Sequence, residues 1–267
     1  MNIQRSIKQG ARRLPGAKRL AEALGSALLH YGLRARRRQL TRRLSPQLSR
    51  QVLAGPFAGM QLLDQTSWGD FVAKVLGTYE AELHPILFDL ISSLRYDLVV
   101  NVGCAEGYYA VGLAIQMPPA RVYAFDISEQ AQKICALAAE RNMVGDRLSV
   151  AGLCNTATLN AILKEGEKAL LVLDCEGSEI DLLRPDAVPY LKNSDILVEC
   201  HDFLDPRITT TLVDRFKPTH TIQRIEEGDR LAQSLPFLQN LGSLDRFAAT
   251  YECRQADNRW LFCKTFG

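Results

Sequence analysis

The chain has 267 residues, of which 47% are hydrophobic and 23% charged, so it is long enough for one buried core and an additional segment. No stretch of about 18 apolar residues is present, which excludes a membrane-spanning helix. Seven cysteines without a C-x-x-C pair argue against a structural zinc site and favour a reducing compartment, so we expect a cytoplasmic protein.

Positive charge is concentrated at the start of the chain. Residues 1–50 contain thirteen Lys or Arg and a single acidic residue, Glu22, whereas the remainder has a net charge of −10. Leucines at helical spacing precede an arginine cluster, which predicts a basic helical extension over residues 1–50. Four hypotheses stay open for this extension: packing on the acidic remainder of the chain, peripheral contact with an anionic inner membrane surface, binding to nucleic acid, or an organellar transit peptide.

Residues 51–95 are interpreted as a connector and lid with a helix that precedes the core. Apolar spacing predicts this helix over residues 78–94, and Pro85 either kinks it or marks its true start. Glu80 and His84 lie four residues apart on the predicted helix, where they form either a wall of a cofactor pocket or an exposed face. We count Glu80 among the expected cofactor-binding residues.

The core, residues 96–267, is predicted to begin with a buried strand that ends in a glycine-spaced turn. The strand is an apolar, β-branched run around Val99, and Asn101 stands near its end. Gly103, Ala105 and Gly107 then remove side chains where a ligand must approach the backbone, and a helix-like pattern follows. This compact turn resembles the first motif of class I S-adenosylmethionine-dependent methyltransferases, except that those motifs commonly begin with an acid where this chain has Asn101.

Two further strands place polar groups beside the turn. The second strand is predicted over residues 121–125, and Asp126 at its end is suited to accept hydrogen bonds from two ribose hydroxyls. Ser128 is a plausible N-cap for the helix that follows. At the end of the third strand, residues 148–150, Cys154 and Asn155 are candidates for contact with the adenine of the cofactor.

The richest polar cluster follows the fourth and fifth strands, predicted over residues 169–173 and 195–200. Asp174, Glu176, Glu199 and His201 should converge there, because ligands bind at the carboxyl ends of parallel strands. We expect His201 to act as a general base, with Asp174 and Glu199 orienting it or contacting the acceptor, and Asp174 also near the cofactor. Two alternatives stay open: Asp174, Glu199 and His201 bind a divalent metal, or Glu176 and Glu179 cap the next helix.

The chain ends in a strand pair that encloses a long insertion. A sixth strand is predicted over residues 219–225 and a last one over residues 260–264, with residues 228–257 as the insertion between them. This arrangement resembles the reversed last strand of the methyltransferase sheet. We therefore predict an α/β, Rossmann-like sheet of seven mostly parallel strands, with the last strand antiparallel.

Two segments make the resemblance to methyltransferases more specific. The sequence LLVLDCEGSEIDLL (residues 170–183) and, further on, ILVECHDF (residues 196–203) are similar to the FkbM-like methyltransferases, which carry a D-x-E-G-x-E motif after the fourth strand and E-x-H after the fifth. The resemblance covers roughly residues 55–264 and leaves out the basic extension. It implies S-adenosylmethionine as cofactor and methylation of an oxygen on a sugar, a glycan or another small molecule.

Three classes of function are compatible with the sequence. A small-molecule or glycan O-methyltransferase is the leading hypothesis. The alternatives are a nucleic-acid methyltransferase that uses the basic extension, although no N/D-P-P-Y/F-type motif follows the fourth strand, and a non-catalytic interaction module with the same fold.

Overall fold

A single seven-stranded sheet forms the centre of the protein. The computed structural model describes residues 17–44, 50–63, 71–228, 236–252 and 259–266. The strands are β1 (Leu98–Val102), β2 (Arg121–Phe125), β3 (Leu148–Ala151), β4 (Ala169–Leu173), β5 (Asp195–Cys200), β6 (His220–Glu226) and β7 (Arg259–Thr265). Each lies within one residue of its predicted bounds, because short β-branched runs between turns are a strong local signal.

The strand order is β3-β2-β1-β4-β5-β7-β6. Strands β1 to β5 pair in parallel, and β7 runs antiparallel to both β5 and β6. The predicted mostly parallel sheet with a reversed last strand is therefore confirmed. From β1 the chain adds β2 and β3 on one side, and from β4 it adds β5 on the other side, so the strand order reverses between β1 and β4. Open α/β sheets bind their ligands at such a switch point.

Helices cover both faces of the sheet. Within the described residues they are α1 (Ala17–Leu44), α2 (Phe71–Leu76), α3 (His84–Ser93), α4 (Tyr108–Gln116), α5 (Glu129–Arg141), α6 (Thr156–Leu163), α7 (Glu179–Leu182), α8 (Ile208–Phe216), α9 (Pro236–Gln239) and α10 (Ser243–Thr250). Ser128 caps α5 as predicted, since its hydroxyl accepts a hydrogen bond from the backbone N–H of Ala131 at 3.3 Å. None of the described helices combines the length and the apolar character needed to cross a membrane.

Apolar side chains alternate between two cores, one on each face. Along β1, Val99 joins the core that also receives α4 and the N-terminal segments, whereas Leu98 and Val100 join the opposite core. All five residues of β1 and of β4 are buried. This burial explains why these strands are continuous apolar runs rather than alternating ones.

The helix predicted over residues 78–94 begins later than expected. A short 3₁₀ turn (Ala81–Leu83) leads into α3, which starts at His84 with Pro85 in its first turn. Proline is favoured there because the first helical N–H groups have no intrahelical acceptor. Glu80 precedes the turn in a left-handed conformation (φ 48°), so the prediction that Glu80 and His84 share one helical face is wrong.

The connector and the basic extension both contribute to packing. Val52, Phe57 and Met60 of the connector are buried in the core beside α4, and the role of the connector as a lid stays a prediction. At the carboxyl end of α1, Leu40 and Leu44 are buried in the same core. The helical prediction for residues 1–50 is tested only over α1, because residues 1–16 and 45–49 lie outside the described part of the chain.

A buried ion-pair network closes the end of the sheet opposite to the glycine turn. The carboxylate of Asp195 is fully buried and accepts hydrogen bonds from Tyr96 Oη at 2.7 Å, Lys168 Nζ at 3.0 Å and the backbone N–H of Thr265 at 3.0 Å. Arg95 contacts the same carboxylate. These contacts join β1, β4, β5 and β7 at the end of the sheet opposite to the cavity.

Candidate functional site

A cavity of about 440 Å³ opens at the carboxyl ends of β1 to β4. Its floor is the glycine turn, and its walls come from the ends of β2, β3 and β4 and from Lys74 and Tyr79 before the core. The lining includes Gly103, Ala105, Asp126, Gly152, Cys154, Asp174 and Glu176. The predicted crevice therefore exists and collects polar groups from four separate loops.

The glycine turn allows two strand ends to approach closely. Gly103 has φ 79°, and a Cβ atom there would lie 1.7 Å from the backbone oxygen of Asp174. Gly107 has φ 88°, and a Cβ atom there would lie 2.8 Å from Cys135 Sγ. Ala105, between them, also has positive φ (45°). Glycine is thus required at residue 103 for the approach of β4 and at residue 107 for the start of α4.

Asp126 is held against the turn by backbone groups. Its Oδ2 accepts a hydrogen bond from the N–H of Ala105 at 2.9 Å, and its Oδ1 accepts one from the N–H of Ser128 at 2.8 Å. Each carboxylate oxygen has a second lone pair, so the side chain can still accept from a ligand. The carboxylate lines the cavity in a fixed orientation, as a ribose-binding group requires.

Four of the residues predicted to bind cofactor lie outside the cavity lining: Gly107, which starts α4, and Asn101, Asn155 and Glu80. Asn101 is buried, and its Nδ2 donates to the backbone oxygen of Val172 at 3.1 Å. Asn155 caps α6, because its Oδ1 accepts from the N–H of Thr158 at 2.9 Å. Glu80 is buried behind Tyr79 and accepts a hydrogen bond from Tyr109 Oη. Their roles toward a cofactor stay predictions.

The acid and histidine cluster assembles as predicted at the ends of β4 and β5. The Nε2 of His201 lies 3.4 Å from Asp174 Oδ1, 3.6 Å from Glu176 Oε2 and 3.7 Å from Glu199 Oε2. His201 and Glu199 are buried, whereas Asp174 is about one third exposed toward the cavity. Asp174 and Glu176 therefore line the cavity, and His201 and Glu199 are buried next to them.

Glu179 holds the other nitrogen of the imidazole. The distance from His201 Nδ1 to Glu179 Oε1 is 2.6 Å, and both side chains are buried. The same oxygen accepts from the backbone N–H of Gly177 at 3.1 Å. With Nδ1–H donated to Glu179, the neutral imidazole presents the lone pair of Nε2 toward the carboxylates of Asp174, Glu176 and Glu199.

From the sequence, Glu179 is predicted only to cap the next helix. Its partnership with His201 joins the loop after β4 to the end of β5, which a capping interpretation does not anticipate. The signal was present in the D-x-E-G-x-E motif, whose last acid is Glu179.

The pKa values of His201 and Asp174 are both raised by their surroundings. Burial alone lowers the pKa of His201, but the hydrogen bond to Glu179 and the surrounding carboxylates outweigh it, and the net pKa lies above 6.5. Burial and the adjacent Glu199 raise the pKa of Asp174 well above 3.8. The cluster therefore holds protons more tightly than isolated side chains do.

The same groups meet the spatial requirement of a cation site. One ligand atom from each of Asp174, Glu176 and His201 lies within 4.8 Å of the others. Oxygen and imidazole ligands suit Mg²⁺, Mn²⁺ or Zn²⁺. Glu199 is also predicted as a ligand if a metal binds. It lies next to His201 but is more deeply buried than Asp174 and Glu176.

One lining residue of the cavity, Lys74, belongs to a buried ion pair. Lys74 Nζ contacts Glu106 Oε1, and the side chains are 4% and 7% exposed. Lys74 belongs to α2, whose sequence FVAKVL is otherwise apolar, and nothing in the sequence marked it as functional. Glu106 stands inside the glycine turn, directly after Ala105.

The known proteins that are similar to part of this chain include methyltransferases. No family model matches the chain. The release factor glutamine methyltransferase of Synechocystis sp. is 36% identical over 100 residues, which are 33% of this chain and 32% of that protein. The chain thus aligns with about a third of the length of this curated relative.

Solved structures similar to the chain include two O-methyltransferases. TomG from Streptomyces achromogenes, in complex with S-adenosylmethionine, has a TM-score of 0.47 at 12% identity over 69% of this chain and 81% of that one. The O-methyltransferase from Bacillus cereus, in complex with S-adenosylhomocysteine, has a TM-score of 0.44 at 15% identity over 66% and 77%. The strand order and the reversed β7 are those of the class I methyltransferase sheet, and the chain has this fold.

Proposed function

We propose that this protein is an S-adenosylmethionine-dependent methyltransferase that methylates a hydroxyl group of a sugar, a glycan or another small molecule. One observation carries the proposal. Asp174 lines the cavity at the glycine turn and also lies 3.4 Å from Nε2 of His201, so a donor site and a proton-accepting site share a wall. Methyl transfer to an alcohol needs both sites side by side.

The cavity offers a place for each part of the cofactor. Asp126 accepts from the ribose hydroxyls, and Ile127, Leu153 and Cys154 provide an apolar surface for the adenine. The remaining end of the cavity, at Gly103, Lys74 and Asp174, receives the methionine portion. The cofactor supplies an activated methyl group with its own leaving group.

The residues of this chain align the acceptor and remove its proton. His201 Nε2 accepts the hydroxyl proton as the acceptor oxygen forms its bond to the methyl carbon. Glu179 keeps the imidazole in the required tautomer and stabilises the imidazolium that results. Asp174 and Glu199 hold the acceptor and the imidazole in line.

We further propose membership of the FkbM-like family. The residues that support it are those of the two motifs after β4 and β5, of which five face one another in the structure: Asp174, Glu176, Glu179, Glu199 and His201. The acceptor class of this family, an oxygen on a carbohydrate or natural product, enters the proposal on the same basis.

Calorimetric titration with S-adenosylmethionine and S-adenosylhomocysteine is the primary test. We expect micromolar binding by the wild-type protein and its loss in Asp126→Ala. The matched control is Asp146→Ala, which removes an exposed carboxylate after α5. Absence of binding by the folded wild-type protein would refute the methyltransferase proposal and favour a non-catalytic interaction module.

Transfer of a labelled methyl group to panels of sugars, glycans, RNA and DNA then identifies the acceptor. Label in a small hydroxyl compound, lost in His201→Ala, is the expected result. Label in nucleic acid would replace this acceptor class with the nucleic-acid alternative.

A further inference from the structure

Lys74 lines the cavity and forms a charged pair with Glu106, which lies outside the lining. The ammonium of Lys74 lies 4.7 Å from the ring centroid of Tyr79 and 5.7 Å from that of Tyr108. Both members of the pair are more than nine-tenths buried. Removing two charges from water is costly, and a buried pair is therefore weak evidence of a stabilising role.

The pair has hydrogen-bonding capacity left over. Oε2 of Glu106 is buried and has no hydrogen-bond partner among the described residues. Lys74 carries three donors, of which one is directed to Glu106, and its side chain lines the cavity beside Gly103 and Ala105. Glu106 is not among the lining residues, and its orphaned carboxylate oxygen lies beside the ammonium that is. This arrangement indicates a ligand with both kinds of charge.

Lys74 is also the sole Lys or Arg among the described residues that line this cavity. A carboxylate bound at the turn has no other cationic side chain to contact in that lining. Asn101, which stands where related motifs carry an acid, is buried outside the lining and donates to Val172. Asn101 Oδ1 and Glu106 Oε2 are both buried acceptors without a hydrogen-bond partner among the described residues. Of the two, Glu106 is the one that contacts Lys74.

We propose that Lys74 and Glu106 together bind an α-amino-acid zwitterion, with Lys74 Nζ contacting its carboxylate and Glu106 Oε2 accepting from its ammonium. Charges then alternate around the site, so each buried charge acquires a second partner of opposite sign. This inference rests on the proposed function, in which the zwitterion is the methionine end of the cofactor.

Two ligands separate zwitterion recognition from binding of the nucleoside. S-adenosylhomocysteine carries the amino-acid group, whereas 5′-methylthioadenosine has the same adenosine and a thioether without it. Calorimetric titration of the full chain with both ligands is compared for wild type, Lys74→Met and Glu106→Gln. The control is Lys164→Met, which removes an exposed lysine at the end of α6.

In the two variants, we expect affinity for S-adenosylhomocysteine to fall by about 10- to 100-fold, the effect of losing one charge-assisted hydrogen bond. Affinity for 5′-methylthioadenosine should stay within about 3-fold of wild type. Lys74→Arg, which keeps the charge, should recover part of the lost affinity, and thermal unfolding of each variant verifies that it is folded.

Three outcomes would overturn the inference and are distinguishable. If the variants lose affinity for both ligands equally, the pair has a structural role. If their affinity for S-adenosylhomocysteine is unchanged, the pair contacts no ligand. If wild type binds both ligands equally well, the zwitterion is not recognised although the proposed function stands. Failure of wild type to bind either ligand is instead the failure of the proposed function.

A second inference concerns the outer face of α1. Residues 24, 28, 31, 35, 38 and 42 follow one another at alternating spacings of four and three and form a single stripe along the helix. The stripe is apolar at its amino-terminal end, where Leu24, Leu28 and Tyr31 are 57%, 71% and 75% exposed. It is basic at the other end, where Arg38 and Arg42 are exposed.

The stripe faces away from the body of the protein. On the opposite side of α1, Leu40 and Leu44 are buried, and Arg36 forms a bidentate pair with Asp245 of α10 at 2.7 Å. The predicted attraction between the basic extension and the acidic remainder therefore involves one face of the helix. The arginines of the stripe lie on the other face.

We propose that this stripe binds an anionic lipid bilayer surface. Apolar side chains enter the interface while the arginines in the same row meet the negative headgroups. Charge complementarity favours this occupant over a second copy of the chain. Parallel pairing of two stripes would bring Arg38 and Arg42 against their own counterparts, and antiparallel pairing would place them against leucines, so neither supplies the negative charge that an anionic bilayer offers.

Flotation of the full chain with vesicles tests this inference. We expect binding to vesicles with about 50% phosphatidylglycerol, weak binding to pure phosphatidylcholine, and loss of binding in high salt. The double variants Leu24→Ser/Leu28→Ser and Arg38→Gln/Arg42→Gln should each reduce partitioning by about 10- to 30-fold. Lys133→Gln/Lys217→Gln, which removes two exposed lysines from other parts of the surface, should match wild type.

Equal binding to both vesicle types would contradict the role of the arginines. A dimer in light scattering that Leu24→Ser/Leu28→Ser dissociates would assign the stripe to a second copy instead. Stronger binding to duplex RNA than to anionic vesicles would assign it to nucleic acid.

Discussion

Nδ1 of His201 lies 2.6 Å from Oε1 of Glu179, and both side chains are buried at the edge of the cavity. The pair joins the end of β5 to the loop after β4, and it leaves Nε2 as the imidazole nitrogen that would receive the proton of the proposed acceptor. A buried carboxylate behind an imidazole also favours the imidazolium. The relationship therefore sets both the geometry and the proton affinity of the proposed base.

Removal of the base should impair chemistry and spare cofactor binding. In His201→Ala we expect kcat to fall by about 10²- to 10⁴-fold, the range of general-base catalysis. The affinity for S-adenosylhomocysteine should stay within about 3-fold of the wild-type value, because the imidazole is not among the residues that line the cavity. A variant that loses cofactor affinity as well would contradict this separation of roles.

The pH dependence of kcat should reflect the raised pKa of His201. The base acts in its neutral form, so activity should increase as the pH rises through a midpoint above 6.5. In Glu179→Gln the carboxylate that raises the pKa is absent, and the midpoint should move to lower pH together with a reduced maximal rate. A midpoint that stays unchanged in Glu179→Gln would rule out this assignment.

Metal removal distinguishes a base from a ligand. With His201 as the base, activity should persist after treatment with EDTA and show no gain on addition of Mg²⁺ or Mn²⁺. Loss of activity in EDTA, with recovery on addition of the ion, would instead make Asp174, Glu176 and His201 the ligands of a cation that acidifies the acceptor hydroxyl.

Asp195 should make the stability of the protein sensitive to acid. Burial raises its pKa, but the hydrogen bonds from Tyr96, Thr265 and Lys168 outweigh this effect and lower the pKa below 3.8. The stabilisation is thus complete above pH 3.8 and is lost as the pH falls through the lower, folded-state value.

Asp195→Asn should lower the free energy of unfolding at pH 7 by about 2–3 kcal/mol, at the low end for a buried pair since Lys168 and Arg95 keep contact with water. Denaturant unfolding between about pH 7 and pH 2 measures both effects. As the pH falls, the free energy of unfolding should decrease less for the variant than for wild type. An equal pH dependence in the two proteins would contradict this role of Asp195.

Gly103 and Gly152 both line the cavity, but only the first is sterically required to be glycine. Gly103→Ala should destabilise the protein by about 3–5 kcal/mol and abolish cofactor binding, because the new Cβ overlaps Asp174 O at a positive φ. At Gly152 the atom nearest to an added Cβ would be 3.7 Å away, so Gly152→Ala should change stability by less than about 0.5 kcal/mol. Thermal unfolding and calorimetry compare the two variants.

The sequence by itself determined the strands, the glycine turn and the loops that carry polar groups. These features depend on local patterns: apolar β-branched runs, glycines where side chains would clash, and a Ser128 cap before a helical repeat. Because the carboxyl ends of parallel strands share one edge of the sheet, chain order alone also predicted that Asp174, Glu199 and His201 converge.

Only the tertiary structure decided which side chains meet across that edge. The positive φ of Glu176 (52°) turns the loop after β4 so that Glu179 is buried against His201, while Glu176 stays exposed. In the same way, Lys74 reaches Glu106 across 32 positions of sequence because α2 packs beside the glycine turn. Such partners are set by loop conformation and helix packing, which depend on the whole core rather than on neighbouring residues in the chain.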